Sequence, residues 1–459
     1  MTKTKLKDKR SPGSARSRAW RAAALVAGLA LVTSACGDNI LHVEVHDIID
    51  PDDVQSAAGA DAVRVGAIAR FVQATTGTES LLLLGGLMTD EWNNGDTFIA
   101  RHELDRRDVT EDNSFLTTAN RNLHRALLSA EQAIELMNRW MPNAPGWQVA
   151  EMHLIQAYLV NLAAEHYCNG LIFSTIVDGK ETYGSPITTE AAFQRALKHA
   201  EDGLALITGT TADDLRVRHA LQVTRGRILM NLNRPADAAN AVAGVPNSFE
   251  YVLRHSPNTF SNAFWSLNVN ARRYSVSDNE GVNGLNFATA NDPRLPVCEA
   301  PCAGVTRPDR DDGSRPLYVQ MLWTSDNSPV TLLNGINARM IEAEAQFRAN
   351  DPAAMIATLN DARATVPGLD PLTDPGTDEA RLSLLFRERA FWHFGLGQRF
   401  GDLRRLVRQY NLPANSVWPT GDWHKAGGVY GDDVTIPIPF AERNNPNAPD
   451  GPICIDRNA

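Results

Sequence analysis

The chain has 459 residues, of which 43% are hydrophobic and 21% charged, and it contains 25 prolines, 32 glycines and five cysteines. This composition is typical of a globular protein with one large domain or two to three average ones. It excludes collagen, a coiled coil, a disordered chain and a small disulfide-rich domain. The net charge of −10 argues against a dedicated nucleic-acid-binding protein, because that function requires a basic surface.

The first 35 residues differ from the rest in charge and hydropathy. They hold eight Lys or Arg side chains against one acid, Asp8, and they include an apolar run over 22–32. That run is shorter than the roughly 20 residues of a membrane-spanning helix and has the length of the hydrophobic part of a secretory signal. The remaining chain has 36 basic and 53 acidic side chains, so the sequence predicts a removable basic leader on an acidic protein.

The end of this leader resembles a bacterial lipoprotein signal. Small residues precede Cys36, which on this resemblance becomes the lipidated N-terminus after residues 1–35 are removed, with residues 36–50 as a tether. Thr33 departs from the pattern, because the third position before the cysteine is usually leucine. The alternative is a plain secretory signal in which Cys36 has no special role. Buried acyl CH₂ groups contribute about 0.8 kcal/mol each, which is how such an anchor holds a protein on a membrane.

Four cysteines lie in the body of the chain. Export implies an oxidising compartment, in which disulfides persist. Cys298 and Cys302 are close together in a Pro-rich segment, and we expect them to form a local disulfide. Cys168 and Cys454 are candidates for a second bridge, which the sequence leaves open. A zinc site is not expected, because no histidine lies near Cys298 or Cys302.

Apolar residues at helical spacing run through the first half of the body. We predict helices from Pro51 onward and over 114–140, 147–168, 190–207, 214–232 and 235–243. Residues 81–87 (LLLLGGL) predict a buried helix or strand, and residues 90–96 predict a polar loop with one tryptophan.

Helical spacing disappears over about 246–330, where Asn, Asp, Pro, Gly and aromatic residues predominate. We predict long loops there, with short strands around 275–276 and 318–324, and such irregular stretches often form binding surfaces. Helices are predicted again over 332–349, 352–363 and 378–409. The Pro-rich tail, 412–459, is predicted to pack against the body because it still contains large apolar residues.

Paired helices within 190–244 and 338–362 carry alanine where two helices would cross. Small side chains at crossing positions allow short helices to approach closely, as in tetratricopeptide-type helix hairpins. The alternative is an ordinary Ala-rich helical bundle. In both cases the predicted fold class is mostly α.

The sequence carries no signature of an enzyme or of a cofactor site. The P-loop, the HExxH zinc motif and the GxSxG nucleophile motif are all missing. Residues 395–401 approach a dinucleotide-binding loop but lack the preceding strand. Residues 309–313 (DRDDG) resemble part of a calcium loop but lack its later glutamate. We therefore predict a protein that is not an enzyme, with no catalytic residues, no metal ligands and no cofactor.

Five segments, in this order, resemble segments of the SusD/RagB family of outer-membrane lipoproteins. They are 90–92 (DEW), 291–295 (NDPRL), 337–345 (NARMIEAEA), 388–405 and 436–447 (from IPIP to NPN). His393 and Phe400 depart from the family, which often has Glu and Trp at these positions.

The resemblance implies the mostly α, SusD-like fold of that family. Tetratricopeptide-like helix hairpins would form one domain over 51–459, with an irregular ligand-side insertion containing short strands over about 246–330. It also implies a non-catalytic lipoprotein, anchored by lipid in the outer membrane at the cell surface. Such a protein captures a nutrient and delivers it to a SusC-like TonB-dependent transporter. The expected nutrient is an oligosaccharide, with a peptide as the alternative.

Two rival hypotheses remain at this point. The protein could be a tetratricopeptide scaffold for the assembly of envelope proteins, or a helical glycan hydrolase. The first would bind proteins and no nutrient, and the second lacks a catalytic signature in the sequence.

Capture of an oligosaccharide needs aromatic rings that stack on sugars, with amides and charged groups that bind hydroxyls. The best candidates are Trp92, Asn93, Asn94 and Asp96, followed by Trp265 and Tyr274 in the insertion. The alternative for Trp92 is packing in the protein interior.

The charged residues of the helical motifs have a structural interpretation. Arg339, Glu342 and Glu344 are expected to form ion pairs along one helix. A buried network that clamps the C-terminal helix to the repeats is expected from Glu388, Arg399, Asp402 and Arg404.

Overall fold

The computed structural model describes residues 55–177, 180–314, 316–449 and 453–459. The predicted leader, Cys36, the tether and Pro51 lie outside these described residues. Residues 54–459 form one compact unit. Within the described ranges, no helix has both the length and the apolar character that crossing a bilayer requires.

The first half of the described chain is built from helices around a central one. They are α1 (Ala57–Thr76), α2 (Leu81–Met88), α3 (Ile99–Asp105), α4 (Ser114–Trp140), α5 (Gly146–His166), α6 (Thr189–Leu206), α7 (Ala212–Asn231) and α8 (Pro235–Val242). α5 is the central helix, since it contacts α1, α4, α6 and α7 and buries nearly every side chain from Ala150 to His166. A helix buried on all sides has no solvent-facing polar side, and the polar side chains that α5 does bury, such as Gln156 and Glu165, are hydrogen-bonded to other parts of the chain.

Helix starts follow the capping signals. α4 begins after Asn113, whose side chain accepts hydrogen bonds from two N–H groups of the first turn. α6 begins after Thr188, and α7 begins after Thr211, which forms a capping box with Asp214. Such caps satisfy N–H groups that the first turn of a helix leaves without partners. The predicted helix over 114–140 is confirmed.

The segment 246–330 consists mostly of loops with short elements between them, as predicted. The strands of the described chain are β1 (Trp92–Asn94), β2 (Thr175–Val177), β3 (Lys180–Thr182), β4 (Glu250–Leu253), β5 (Tyr274–Val276), β6 (Val297–Glu299), β7 (Tyr318–Gln320) and β8 (Val330–Asn334). They pair in antiparallel twos: β1 with β5, β2 with β3, β4 with β8, and β6 with β7. A one-turn helix, α9 (Ala263–Trp265), continues into a π-helix, Ser266–Asn270.

Two helix hairpins pack side by side. α7 and α8 form the first, and α10 (Gly335–Arg348) and α11 (Pro352–Arg363) form the second, with α8 in contact with α10. A small residue permits this approach, because a Cβ at Gly226 would lie 2.6 Å from Val242 and 3.1 Å from Ile341. The tetratricopeptide-like pairing predicted from the alanines is confirmed.

The single helix predicted over 378–409 is wrong. The structure has α12 (Asp378–Trp392) and α13 (Arg399–Arg408), followed by a short α14 (Ala414–Val417). Gly395 and Gly397 between α12 and α13 have φ values of 74° and 65°, a left-handed conformation that glycine adopts without steric cost. The Gly395 N–H donates to a carboxyl oxygen of Glu91 at 2.8 Å, so the break also fastens the chain to the segment after α2.

α10, α12 and α13 are joined by buried ion pairs. Arg405 donates to both carboxylate oxygens of Glu344 and, at 2.7 Å, to Asp402. Arg389 binds Asp402 through two hydrogen bonds of 2.8 Å. Burial opposes ionisation of Asp402, but the two arginines outweigh it and hold its pKa below the ordinary value. The predicted buried network is confirmed only in part, because Asp402 belongs to this network but its other members are Glu344, Arg389 and Arg405. The other predicted members, Glu388, Arg399 and Arg404, are buried but bind other partners.

The other charged motif residues are paired too. Arg399 binds Asp90 through hydrogen bonds of 2.7 and 2.8 Å. Glu388 accepts hydrogen bonds from Arg294 at 2.6 Å and from Arg363 at 2.8 Å. On the surface of α10, Arg339 and Glu342 form the expected ion pair at 3.0 Å. The prediction for Glu344 is wrong, because this side chain faces the interior and pairs with Arg405 of α13 instead of with its own helix.

The C-terminal part of the chain completes the end of α5. Arg404 donates to the backbone carbonyls of Ala164, Glu165 and Tyr167 at 2.8 to 3.1 Å. Ile436 in the tail has no exposed surface and forms a parallel bridge with Tyr167. The predicted packing of the tail against the body is confirmed.

Both candidate disulfides are formed. Cys298–Cys302 closes a local loop, as expected. Cys168–Cys454, which the sequence left open, joins the end of α5 to the last residues of the chain across a sequence separation of 286.

Candidate functional site

The predicted ligand-binding aromatic Trp92 lies in the core. Its side chain has no exposed surface, and its ring lies between Phe264 and Phe394 at centroid distances of 6.4 and 4.8 Å. Tyr274, another predicted ligand residue, is equally buried and lies 6.1 Å from Trp92. A ring without an exposed face offers no platform to a sugar. The expected surface platform at Trp92 and Tyr274 is therefore wrong, and the packing alternative describes the structure.

The pairing of β1 with β5 explains this burial. Trp92 lies opposite Val276 and Asn94 opposite Tyr274, so both strands enter the interior together. Asn94 and Asp96 are buried as well, and the N–H of Asp96 donates to the Asn94 side chain at 3.0 Å. These polar groups shape the turn before α3 and are not free to bind a ligand.

Asp96 serves the fold in a second way. Its carboxylate is ion-paired with the buried Arg101 in α3 and accepts the N–H of Phe98 at 2.9 Å. Its backbone carbonyl accepts a hydrogen bond from Lys425 at 2.5 Å. Asp96 therefore joins the segment before α3 to the C-terminal tail.

Trp265, in contrast, lines a cavity. This cavity, the Trp265 pocket, has a volume of about 380 Å³ and is lined by ten residues in 265–272, 303–307 and Thr324. The Trp265 side chain is half-buried, while Asn270, Thr306 and Arg307 are exposed. The pocket therefore combines an aromatic ring with amide, hydroxyl and guanidinium groups.

The Trp265 pocket is built on unusual backbone. The π-helix Ser266–Asn270 forms one wall, and α9 before it is capped by Asn262, which accepts the Trp265 N–H at 3.1 Å. Arg272 and Ala303, on facing walls, have φ values of 56° and 52°. Such sparsely populated conformations and π-turns occur often at functional sites, where the surrounding structure holds them.

Positive charge predominates in the Trp265 pocket. Arg272 donates to the backbone carbonyls of Asp309 and Arg310 at 2.6 and 3.2 Å, which fixes its position, and the Asp311 carboxylate lies 3.8 Å away. Arg307 makes no hydrogen bond or ion pair with the described residues. The lining includes both arginines and no carboxylate.

A second cavity has Asn93 in its lining. No other residue of 90–96 lines this cavity or the Trp265 pocket. This cavity, the Glu280 pocket, has a volume of about 400 Å³ and is lined by 278–282 with Asn93, Asp422 and His424. Its lining carries the carboxyl groups of Asp278, Glu280 and Asp422 and no lysine or arginine.

Glu280 and His424 of this pocket are bound by neighbouring side chains outside its lining. Glu280 accepts hydrogen bonds from Tyr430 at 2.5 Å and from Ser277 at 2.7 Å. His424 Nε2 lies 2.6 Å from an Asp105 oxygen, and Arg310 lies 3.2 Å from His424 Nδ1. Because arginine only donates, Nδ1 accepts and the imidazole proton is on Nε2. Burial, and next the charge of Asp105, raise the pKa of Glu280 well above its usual value.

Asp105, Glu280 and His424 are the described residues whose side chains come closest to a metal site. One ligand atom from each lies within 4.8 Å of the others, and zinc accepts such ligands. However, the Asp105 oxygen that faces His424 also accepts from Trp423 at 2.9 Å, and both Glu280 oxygens accept from hydroxyls. The guanidinium of Arg310 would also repel a cation, so these residues do not fit a resident metal well.

The acidic run 309–313 is not arranged as a calcium loop. Asp311 pairs with Arg273 at 3.4 Å and Asp312 with Lys425 at 2.7 Å. Arg310 is buried and its guanidinium reaches the Glu280 pocket. The charged side chains of this run therefore bind neighbouring residues of both the insertion and the C-terminal tail.

Neither a model of a known protein family nor a curated protein matches this sequence. Solved structures match its fold. A SusD superfamily protein from Parabacteroides distasonis has a TM-score of 0.63 at 14% identity, with 85% of this chain and 98% of that chain covered. A SusD/RagB family protein from Bacteroides thetaiotaomicron has a TM-score of 0.62 at 12% identity, covering 84% and 94%. A SusD-like carbohydrate binding protein from Bacteroides vulgatus has a TM-score of 0.55 at 14% identity, covering 76% and 83%.

These similarities extend over most of the described chain. The protein is mostly helical and has the fold of the SusD superfamily. The resemblance noted in the sequence motifs is confirmed at the level of the fold.

Proposed function

We propose that this protein is a non-catalytic surface lipoprotein that captures a nutrient glycan and delivers it to a SusC-like TonB-dependent transporter. The observation that carries the proposal is the Trp265 pocket, in a protein with the SusD-like fold. A half-buried indole with neighbouring amide, hydroxyl and guanidinium groups is the arrangement that binds a sugar by stacking and hydrogen bonding. One protein of similar fold is described as carbohydrate binding and another as a putative sugar binding protein.

The anchor and the location belong to the same proposal. Cys36 would carry the lipid and hold the protein in the outer membrane, with residues 36–50 as the tether. The helix hairpins α7–α8 and α10–α11 would face the transporter, and the irregular segment 246–330 would face the ligand. This division gives each face of the molecule one task.

The anchor can be tested by metabolic labelling with an alkyne fatty acid. The wild-type protein should take up the label and fractionate with the outer membrane. Cys36→Ala should lose the label, while the double variant Cys298→Ser/Cys302→Ser, which removes two other cysteines, should keep it. Equal labelling of wild type and Cys36→Ala would contradict lipidation at this residue.

The partner can be tested by affinity purification of the full-length protein from outer membranes in mild detergent. A large β-barrel receptor in near-stoichiometric amount would support delivery to a transporter. If other envelope proteins co-purify and no barrel does, capture and import is contradicted, and the tetratricopeptide scaffold becomes the better account.

A further inference from the structure

We propose that the Trp265 pocket recognises an acidic saccharide, meaning one that carries a uronic acid carboxylate or a sulfate. This inference rests on the proposed function, since it names the substrate class for the same pocket. The observation behind it is the distribution of charge between the two pockets of the irregular segment, which the fold alone does not determine.

The Trp265 pocket offers two guanidinium groups in different states. Arg272 is held by two backbone carbonyls and is therefore fixed before any ligand arrives. Arg307 is exposed and has no partner among the described residues, so its five N–H donors are available. Arginine binds carboxylate and sulfate groups through paired hydrogen bonds, which a neutral hydroxyl cannot match.

No acid in the lining competes with a ligand anion. The carboxylate nearest to Arg272 belongs to Asp311, at 3.8 Å, and it also pairs with Arg273 at 3.4 Å. The protein as a whole is acidic, with a net charge of −10, so this basic pocket is a local feature. Charges more than about 8 Å away are largely screened at physiological ionic strength, so local arginines decide which ligand binds.

The Trp265 pocket also contains groups that can bind the uncharged ring and hydroxyl groups of a sugar. Trp265 presents a half-buried ring on which the C–H face of a pyranose can stack. Asn270 and Thr306 are exposed polar side chains within hydrogen-bonding reach of a ligand in the same cavity. A Cβ at Gly304 would meet no atom within 4 Å, so this wall leaves space for a ring.

The part of the lining formed by 303–307 is held by local covalent and hydrogen bonds. The disulfide Cys298–Cys302 closes the chain ahead of it, and the Val305 N–H donates to the Cys302 carbonyl at 2.8 Å. A loop that is already ordered loses less conformational entropy when a ligand binds, and this favours affinity. The Glu280 pocket, which is lined by Asp278 and Asp422 and by no lysine or arginine, would repel the same anion.

The test is calorimetric titration of the purified full-length protein in mild detergent with matched saccharides. One pair is tetragalacturonate and its fully methyl-esterified form, which share the same sugar backbone but carry ionised carboxylates and neutral esters respectively. A chondroitin sulfate tetrasaccharide supplies sulfate, cellotetraose is neutral, and tetraglutamate is an acidic peptide. We expect at least one acidic saccharide to bind at least tenfold more tightly than its neutral counterpart, with affinity falling as salt is added.

Three variants connect that binding to the pocket. Arg307→Gln removes the free charge from an exposed position that the fold does not need, and it should weaken the acidic saccharide about tenfold. Arg307→Lys should restore part of that loss, because it restores the charge without the paired hydrogen bonds. Trp265→Ala should abolish binding of charged and neutral sugars alike. Arg234→Gln, at an exposed arginine directly before α8, is the control and should leave saccharide binding unchanged.

The outcomes separate this inference from the proposed function. Binding of neutral saccharides that depends on Trp265, without any preference for acidic ones, overturns the inference and leaves glycan capture in place. Binding of tetraglutamate without any saccharide overturns both and favours the peptide alternative. The absence of binding to every saccharide overturns both as well.

Discussion

The buried network of α10, α12 and α13 and the Trp265 pocket use arginine in opposite ways. In the network, Arg405 and Arg389 are buried, and both donate to carboxylates of the same chain. In the pocket, Arg307 is exposed and has no partner among the described residues. The first arrangement is complete within the protein and stabilises the fold, whereas the second is complete only with solvent or a ligand.

The Glu280 pocket supports the same distinction between charged groups that have partners in the protein and those that do not. It gathers more titratable groups than the Trp265 pocket, and clustering alone would mark it as the functional site. Yet Glu280 is held by Tyr430 and Ser277, and His424 by Asp105 and Arg310. We infer that a charged group without a partner in the protein is a better indicator of a binding site than a cluster of paired groups. Four measurements test this distinction.

The largest effect is expected from the two disulfides. Cys168–Cys454 fastens the C-terminal residues to the helical core, and Cys298–Cys302 lies beside the Trp265 pocket. Chain-entropy arguments assign about 5 kcal/mol to the long loop closed by Cys168–Cys454 and about 2 kcal/mol to the short loop closed by Cys298–Cys302. Replacing each pair by serines and measuring urea unfolding should show this order. Only the Cys298→Ser/Cys302→Ser variant should also weaken saccharide binding, because it loosens the wall of the Trp265 pocket. Equal losses of stability would contradict the contrast.

The next effect is expected from Glu344→Gln. It removes one charge of a buried pair and leaves Arg405 with Asp402 alone, which should lower the free energy of unfolding by about 3–5 kcal/mol. Glu342→Gln is the matched control two residues away, since its partner Arg339 is partly exposed and such pairs contribute about 1 kcal/mol or less. Urea denaturation measures both. Similar losses in the two variants would show that burial does not set the strength of these pairs.

A smaller, pH-dependent effect is expected from Glu91→Gln. Burial raises the pKa of Glu91 from 4.5 to about 8, against the opposing hydrogen bond from the Gly395 N–H. The folded protein then keeps a proton that the unfolded chain has lost, so the wild-type free energy of unfolding should fall as pH rises from 4.5 to 8. Glu91→Gln should lack this fall and gain stability on the wild type over that range.

Melting temperatures at pH 5 and pH 8 measure the difference between the two proteins, with the pH values chosen inside and at the end of the window from 4.5 to 8. Glu379→Gln, at an exposed position in α12, is the control and should follow the wild type at both pH values. A wild type and a Glu91→Gln variant whose difference is constant with pH would contradict a protonated Glu91.

The smallest effect on stability is expected from Arg307→Gln. An exposed side chain without a partner should change the free energy of unfolding by no more than about 0.5 kcal/mol. Urea denaturation at several salt concentrations measures it beside the binding experiment. A large loss of stability would mean that Arg307 belongs to the fold, and the comparison with Arg405 would fail.

The sequence predicts most of the helical part because local signals are strong there. α4 matches its predicted range of 114–140, since one apolar face and the Asn113 cap define both character and start. The break between α12 and α13 escaped prediction. Helical spacing continues on both sides of Gly395, and the two glycines permit a left-handed turn that the tertiary contact with Glu91 stabilises.

The candidate site was less predictable because it depends on pairing between distant segments. Trp92 is surrounded by polar residues in the sequence, which suggests a surface loop, but β5 covers it from more than 180 residues away. Trp265 was found because an aromatic residue in an irregular segment is a reasonable binding residue. Arg307 was missed, because a sequence does not show which of many charged residues lacks a partner.

The residues that complete the end of α5 lie far from it in the sequence, and this affects the order in which the chain folds. The groups that complete it, Arg404, Ile436 and Cys454, are translated long after the helix they contact. While the chain emerges after export, the central helix is therefore without its final neighbours until the last residues arrive, and contacts so distant in sequence form slowly. Such a chain needs protection by chaperones while it waits, and deletion of even its last few residues should lower the yield of folded protein more than the loss of an ordinary frayed terminus.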